Sequence, residues 1–179
     1  LNANGPNLVL MGLRGAGKST VGQIVAAVLH REFVDLDDRT ARLLGSRTPG
    51  VAFAAHGESV FRVAEYRALT SAMAVPMQVI SLGGGTPTAP GAAQLLEEQR
   101  DLCRAVIVYL RMEPSALRAR LEATDVSQRP SLTGAGTLDE IDAVFRARDP
   151  LYRRLASKVI DTEGSSAEEL AQQIVQLAK

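Results

Sequence analysis

The chain has 179 residues, 46% of them hydrophobic, which is enough for one domain with a real core and too few for two. Its 20 basic and 20 acidic residues cancel, so the charge balance gives no reason to expect nucleic acid or an anionic membrane as a partner. Cys103 is the lone cysteine, which excludes a disulfide framework or a thiolate metal site and suits a reducing, cytoplasmic compartment. No apolar run approaches membrane-spanning length, and residues 1–7 lack the charged-then-apolar pattern of a signal peptide. The absent initiating methionine leaves a trimmed or fused domain as an open expectation.

Asn7 to Met11 reads as a buried strand, and Leu8 to Thr20, LVLMGLRGAGKST, joins it to a helix through a glycine-rich loop. Gly12, Gly17, Lys18 and Ser19 satisfy the P-loop spacing G-x-x-x-x-G-K-[ST]. Glycines let backbone N–H groups turn inward around phosphate oxygens, and the helix start adds partial positive charge. The candidate ATP contacts are therefore Gly12, Gly15, Ala16, Gly17, Lys18, Ser19 and Thr20, with Lys18 reaching the β- and γ-phosphates. The Ser19 hydroxyl is a candidate ligand for Mg²⁺, and Thr20 stands one position too far to replace it. Arg14 is accommodated if it points to solvent. Val21, Ile24, Val25, Val28 and Leu29 then form the apolar stripe of a packed helix, and His30 marks its end.

Glu32 to Asp35 is a second strand, ending in Val34-Asp35-Leu36-Asp37-Asp38. Strand-end carboxylates stand where ligands bind in open α/β sheets, and period-two alternation sends Asp35 and Asp37 to one side. One could hold Mg²⁺ through water while the other accepts a hydroxyl proton. An acidic helix start is the competing reading, suiting Asp38 well and Asp37 in part. Residues 37–45 form a short helix closed by Gly45, Thr48-Pro49 opens another, and a longer helix runs from Glu58 to about Ala74. Arg62 and Glu65 lie at i, i+3, so the carboxylate can orient the guanidinium. His56, before Gly57, is a helix-end residue.

Met77 to Ser81 is a third strand that runs into Gly83-Gly84-Gly85, where a ligand can touch the backbone itself. Pro90 to Gln99 is helical, Cys103 reads as inert packing, Ala105 to Leu110 is a fourth strand, and Pro114 opens a helix carrying Arg118 and Arg120. Periodicity lapses over residues 123–136, where Arg129-Pro130 and nearby glycines behave like a lid. Leu138 to Asp149 is helical, with Arg148 near its end; Lys158 to Asp161 is a fifth strand, and Ser166 to about Leu177 a closing helix. Strands alternating with helices imply a parallel sheet covered on both faces.

Taken together, Gly12 to Thr20, Asp35-Leu36-Asp37, Gly57-Glu58 with Phe61-Arg62 and Glu65, Gly83-Gly84-Gly85, Arg129-Pro130 and Arg148-x-Pro-Leu-Tyr resemble the shikimate kinase family, small P-loop proteins of the nucleoside monophosphate kinase-like group. The resemblance implies a three-layer α/β/α fold with a five-stranded parallel sheet in the order 2-3-1-4-5. It implies an ATP- and Mg²⁺-dependent kinase, acting on the 3-hydroxyl of shikimate, soluble and monomeric. By resemblance Lys18, Asp37 and Arg129 are catalytic, with Asp37 taking the acceptor proton. Arg62 and Arg148 grip the substrate carboxylate, and Gly83, Gly84 and Gly85 line the same pocket. Asp35 lies near Mg²⁺ through water, and Arg120 and Arg129 serve ATP. Ser131 departs from the leucine usual after Arg-Pro, and Gln23 from a common basic residue. Two rivals remain at this point: a gluconate kinase of the same architecture, and a ligand-sensing domain of a transcriptional regulator.

Overall fold

A computed structural model describes residues 5–123 and 140–178. The strands are β1 (Asn7–Met11), β2 (Phe33–Asp35), β3 (Val79–Ser81), β4 (Ala105–Arg111) and β5 (Lys158–Asp161), all parallel in the order β2-β3-β1-β4-β5. That is the order implied by resemblance. A parallel sheet needs a crossover between neighbours, and the helices supply it: α1 (Lys18–Leu29), α2 (Leu36–Leu43), α3 (Pro49–Met73), α4 (Ala92–Asp101), α5 (Pro114–Glu122), α6 (Ile141–Leu155) and α7 (Ala167–Gln176).

The alternation of side chains along each strand divides the core into two layers. Leu8 and Leu10 of β1, with Val108 and Leu110 of β4, pack under Val21 and Val25 of α1 and Leu170 and Ile174 of α7. Val9 and Met11, with Ile107 and Tyr109, face the other way, under Leu69 of α3, Leu96 of α4 and Tyr152 and Leu155 of α6. Strands buried on both faces must be apolar throughout, which is why β1 reads as an unbroken run after Asn7. Gly22 lets α1 close on β2: a Cβ there would stand 2.6 Å from the Phe33 ring and 3.1 Å from Leu10 Cδ1.

Several boundaries differ from expectation, each for a local reason. Helix α2 begins at Leu36, directly after β2, so Asp35 and Asp37 are not related by strand alternation: Asp35 ends the strand and caps the helix that carries Asp37. The two helices expected on either side of Gly57 are present as one run, broken at that residue (φ 75°, ψ 168°), a backbone that only glycine adopts readily. Thr48 caps the first half, accepting from the Val51 N–H at 3.3 Å, with Pro49 behind it. Helix α6 does not stop before Pro150 but continues to Leu155, since the turn beyond it carries Tyr152 and Leu155, both fully buried. Their burial outweighs the missing proline N–H. Cys103 is exposed and not core packing: at φ 55° it occupies the left-handed turn that ends α4, donating to the Arg100 carbonyl at 2.9 Å.

Candidate active site

The P-loop stands where β1 meets α1. Gly15 (φ 87°) and Gly17 (φ 92°) take left-handed backbone. Gly12 is held close to β4, where a Cβ would meet the Leu110 carbonyl oxygen at 2.6 Å. Lys18 opens α1, only 8% exposed, with Nζ donating to the Leu13 carbonyl at 3.0 Å. Burial lowers its pKa, against the pull of Asp37 and Asp35. Ser19 Oγ donates to Asp35 Oδ2 at 2.7 Å and lies 3.3 Å from Ser81 Oγ. The other Asp35 oxygen accepts the backbone N–H groups of Asp37 (3.0 Å) and Asp38 (3.4 Å). One carboxylate therefore caps α2 and restrains the P-loop serine at once.

On the acceptor side, burial raises the Asp37 carboxyl to about 6; Lys18 opposes the shift, while Glu65 and Asp35 add to it. Behind Asp37 stands Gly83, where a Cβ would come 2.1 Å from Asp37 Oδ1 and 2.8 Å from Thr86 Oγ1. Arg62 is held on α3 by Glu65 (2.5 Å) and Glu58 (3.3 Å). Glu65, 1% exposed, also accepts from Thr86 Oγ1 at 2.9 Å, so a glutamate readable as helix-surface charge is a buried brace. Gly85 makes room for the guanidinium: its Cβ would stand 2.5 Å from Arg62 Nη1. From α6, Arg148 donates to the Gly84 carbonyl at 2.8 Å, and Tyr152 OH donates to the same oxygen at 2.5 Å.

These groups surround a cavity of about 740 Å³. Its wall includes Gly15, Gly17, Lys18, Ser19 and Thr20, with Arg120 near the P-loop, and it includes Asp35, Asp37, Arg62, Gly84, Gly85 and Arg148 across from them. Arg120 also flanks Gly17, its Nη1 3.5 Å from where a Cβ would be. Gly12, Ala16 and Gly83, expected at the site, are buried and do not line this cavity; the Ala16 N–H is already donated to the Leu13 carbonyl at 3.2 Å. Arg14 lines the cavity instead of turning to solvent, and its charge acts on both Lys18 and Asp37. Arg129, Ser131 and most of the expected lid lie outside the described residues. Sequence reasoning passed over Phe53 and Phe61 as cavity lining, Thr86 as the partner of Glu65, and Tyr152. Phe61 and Tyr152 belong to motifs already singled out and Thr86 directly follows Gly85, which was the available signal.

A P-loop facing an aspartate, two arginines and a glycine-lined carbonyl across one cavity defines the class: a P-loop kinase of a small anionic acceptor. The family model of shikimate kinase matches residues 14–179. Shikimate kinase of Rhodopirellula baltica is 36% identical over 174 residues, covering 96% of this chain and 90% of that protein. That of Acinetobacter baylyi is 36% identical over 172 residues, covering 96% and 91%. Among solved structures, shikimate kinase from Acinetobacter baumannii in complex with shikimate superposes with a TM-score of 0.86 at 33% identity, over 98% of this chain and 93% of that one. The chain belongs to the shikimate kinase family. A gluconokinase from Sinorhizobium meliloti shares the fold, with a TM-score of 0.63 at 15% identity over 99% of this chain and 95% of that one, and shows nothing beyond it.

Proposed function

We propose that this chain transfers the γ-phosphoryl group of ATP to the 3-hydroxyl of shikimate, giving shikimate 3-phosphate and ADP on the route to chorismate and the aromatic amino acids. The observation that carries it is the convergence of a P-loop with Asp37, Arg62 and Arg148 on one cavity. Shikimate offers a carboxylate and three hydroxyls. Two guanidiniums from distant segments suit the carboxylate, since each can bind it through two N–H donors. Asp37 then accepts the 3-hydroxyl proton as that oxygen bonds to the γ-phosphorus and the bond to the β-phosphate bridge oxygen breaks. Its raised pKa leaves it ionised at neutral pH yet basic enough for the task. Lys18 is poorly screened because it is buried, so its charge acts strongly on the phosphoryl oxygens in flight.

Mg²⁺ fits the residues present. Ser19 and Asp35 are hard oxygen donors 2.7 Å apart at the P-loop, and among the described residues no cluster of three or more His, Cys, Asp or Glu offers a closed cage. Such partial coordination, completed by phosphate and water, is how Mg²⁺ is usually held beside nucleotides. Ser19 would hold the ion, with Asp35 reached through water, and the chemistry it would supply there is neutralisation of charge on the phosphate oxygens. Among the described residues no helix is long and apolar enough to cross a membrane. The reading is of a cytoplasmic monomer.

The test is ADP release with Mg²⁺-ATP and shikimate, quinate, gluconate or no acceptor. Release with shikimate alone supports the reading. Release with gluconate instead, or ATP and shikimate binding without turnover, overturns it in favour of a rival kinase or a sensing domain.

A further inference from the structure

Tyr152 is the residue of the Arg148-x-Pro-Leu-Tyr segment that the proposed reaction leaves without a task. Its ring is fully buried, and its hydroxyl donates at 2.5 Å to the Gly84 carbonyl, the same oxygen that accepts from Arg148 Nη1 at 2.8 Å. One carbonyl therefore has two donors, both from α6 and one helical turn apart. The two differ in freedom. Tyr152 is fixed by an edge-to-face contact with Tyr109, centroids 5.4 Å apart, and Tyr109 OH donates to Asp149 at 3.0 Å. Asp149 also accepts from Arg111 Nε at 3.1 Å and from Arg153 Nε at 2.7 Å, which ties that turn of α6 to β4. Arg148 is half-buried on the cavity wall, with a long side chain able to turn.

We propose that Tyr152 is a positioning residue that keeps the Gly84 carbonyl hydrogen-bonded while Arg148 leaves it to grip the substrate carboxylate. The inference rests on the proposed function. Without Tyr152 OH, drawing Arg148 onto an acid would strand a half-buried carbonyl, and binding would bear that cost. With it, the glycine loop holds one shape before and after substrate enters, and Arg148 exchanges a neutral acceptor for an anionic one. The ring alone, in phenylalanine, would preserve packing while removing the donor.

The test is a thermodynamic cycle on the full chain, reading shikimate Kd by calorimetry, with ATP Kd, kcat and Tm as companions. Tyr152→Phe should raise shikimate Kd and KM about tenfold, the scale of one stranded, half-buried acceptor, with ATP Kd unmoved and kcat changed far less than KM. In Arg148→Ala the guanidinium never sits on Gly84, so adding Tyr152→Phe should leave shikimate Kd where Arg148→Ala put it. In the absence of substrate, by contrast, the double variant should lose more Tm than the two single variants together, because the carbonyl then has neither donor. Equal Kd penalties in both backgrounds, or equal losses for ATP and shikimate, would mark Tyr152 as a structural residue only and overturn the exchange. Wild-type binding of shikimate that Tyr152→Phe leaves untouched would overturn this inference alone. A wild type that binds no shikimate would overturn the proposed function, and this inference with it.

Discussion

Gly83→Ala tests whether Asp37 acts through its position. The added Cβ would lie 2.1 Å from Asp37 Oδ1, well inside the 3.0 Å below which real Cβ atoms are not found, so the carboxylate must retreat by roughly 1 Å. Misplacing a reacting group by that much costs on the order of 10²-fold in rate. The clash is with side-chain ends, Asp37 and Thr86 Oγ1, and not with backbone, so the fold should lose only about 1 kcal/mol, a few degrees in Tm. The assay is kcat at saturating Mg²⁺-ATP and shikimate, run beside Asp37→Asn and the double variant. We expect Gly83→Ala near one hundredth of wild-type kcat, and the double variant no slower than Asp37→Asn, since both changes strike the same group. A kcat within threefold of wild type at unchanged Tm would refute the positional argument. Multiplicative losses in the double variant would show that Gly83 acts elsewhere.

The pH behaviour of Asp37 has two readouts. Deprotonation makes it a base, so kcat/KM for shikimate should climb with pH to an apparent pKa of about 6 or somewhat above, because bound phosphates oppose ionisation, and then level; a flat profile from pH 5 to 8 would exclude the role. For stability the sign is opposite: a carboxyl raised on folding holds its proton longer in the native state, so its contribution is full below the unfolded value of 3.8 and is lost as pH rises through about 6. Asp37→Asn should therefore be more stable than wild type above pH 7, by up to about 3 kcal/mol, the opposing pull of Lys18 being already part of the value of about 6, with the gap closing near pH 4 in denaturant titrations. Arg62→Ala and Arg148→Ala should each raise shikimate KM roughly 10²-fold or more and move ATP KM little, the scale of one truncated charge-assisted contact. Arg62→Ala should also lower Tm more than Arg148→Ala, because it leaves Glu65, 1% exposed, without its cation.

What the sequence disclosed and what it hid divide along the distance over which each interaction acts. The P-loop was legible because its function is local: two left-handed glycines and a helix start within a few residues of one another. Asp37 lines the cavity from α2, and not through the strand alternation with Asp35 that the sequence suggested. A three-residue strand offers little periodicity, and the side chain of Asp35 folds the chain into a helix by accepting its own downstream N–H groups, a choice that alternation does not reveal. Pro150 looked like a stop because its local cost is visible and the burial of Tyr152 and Leu155 on the sheet is not. Thr86 and Glu65, 21 positions apart, and Tyr109 and Asp149, 40 apart, are joined only when α3, β4 and α6 dock. Arg14 was expected at the surface because position alone does not tell which side of the loop faces a cavity.

The close approach at Gly22 extends this site's demands to a residue no ligand meets. Ser19 stands one turn before Gly22, and Asp35 two residues after Phe33, whose ring would lie 2.6 Å from a methyl at position 22. Any side chain there pries α1 from β2, and with it separates Ser19 from Asp35. In a saturation-mutagenesis survey scored by growth on this enzyme, position 22 should be as intolerant as the P-loop, whereas its exposed neighbour Gln23 should accept nearly every residue. A map of intolerance drawn that way would trace the spacing between two backbones as well as the outline of the ligands.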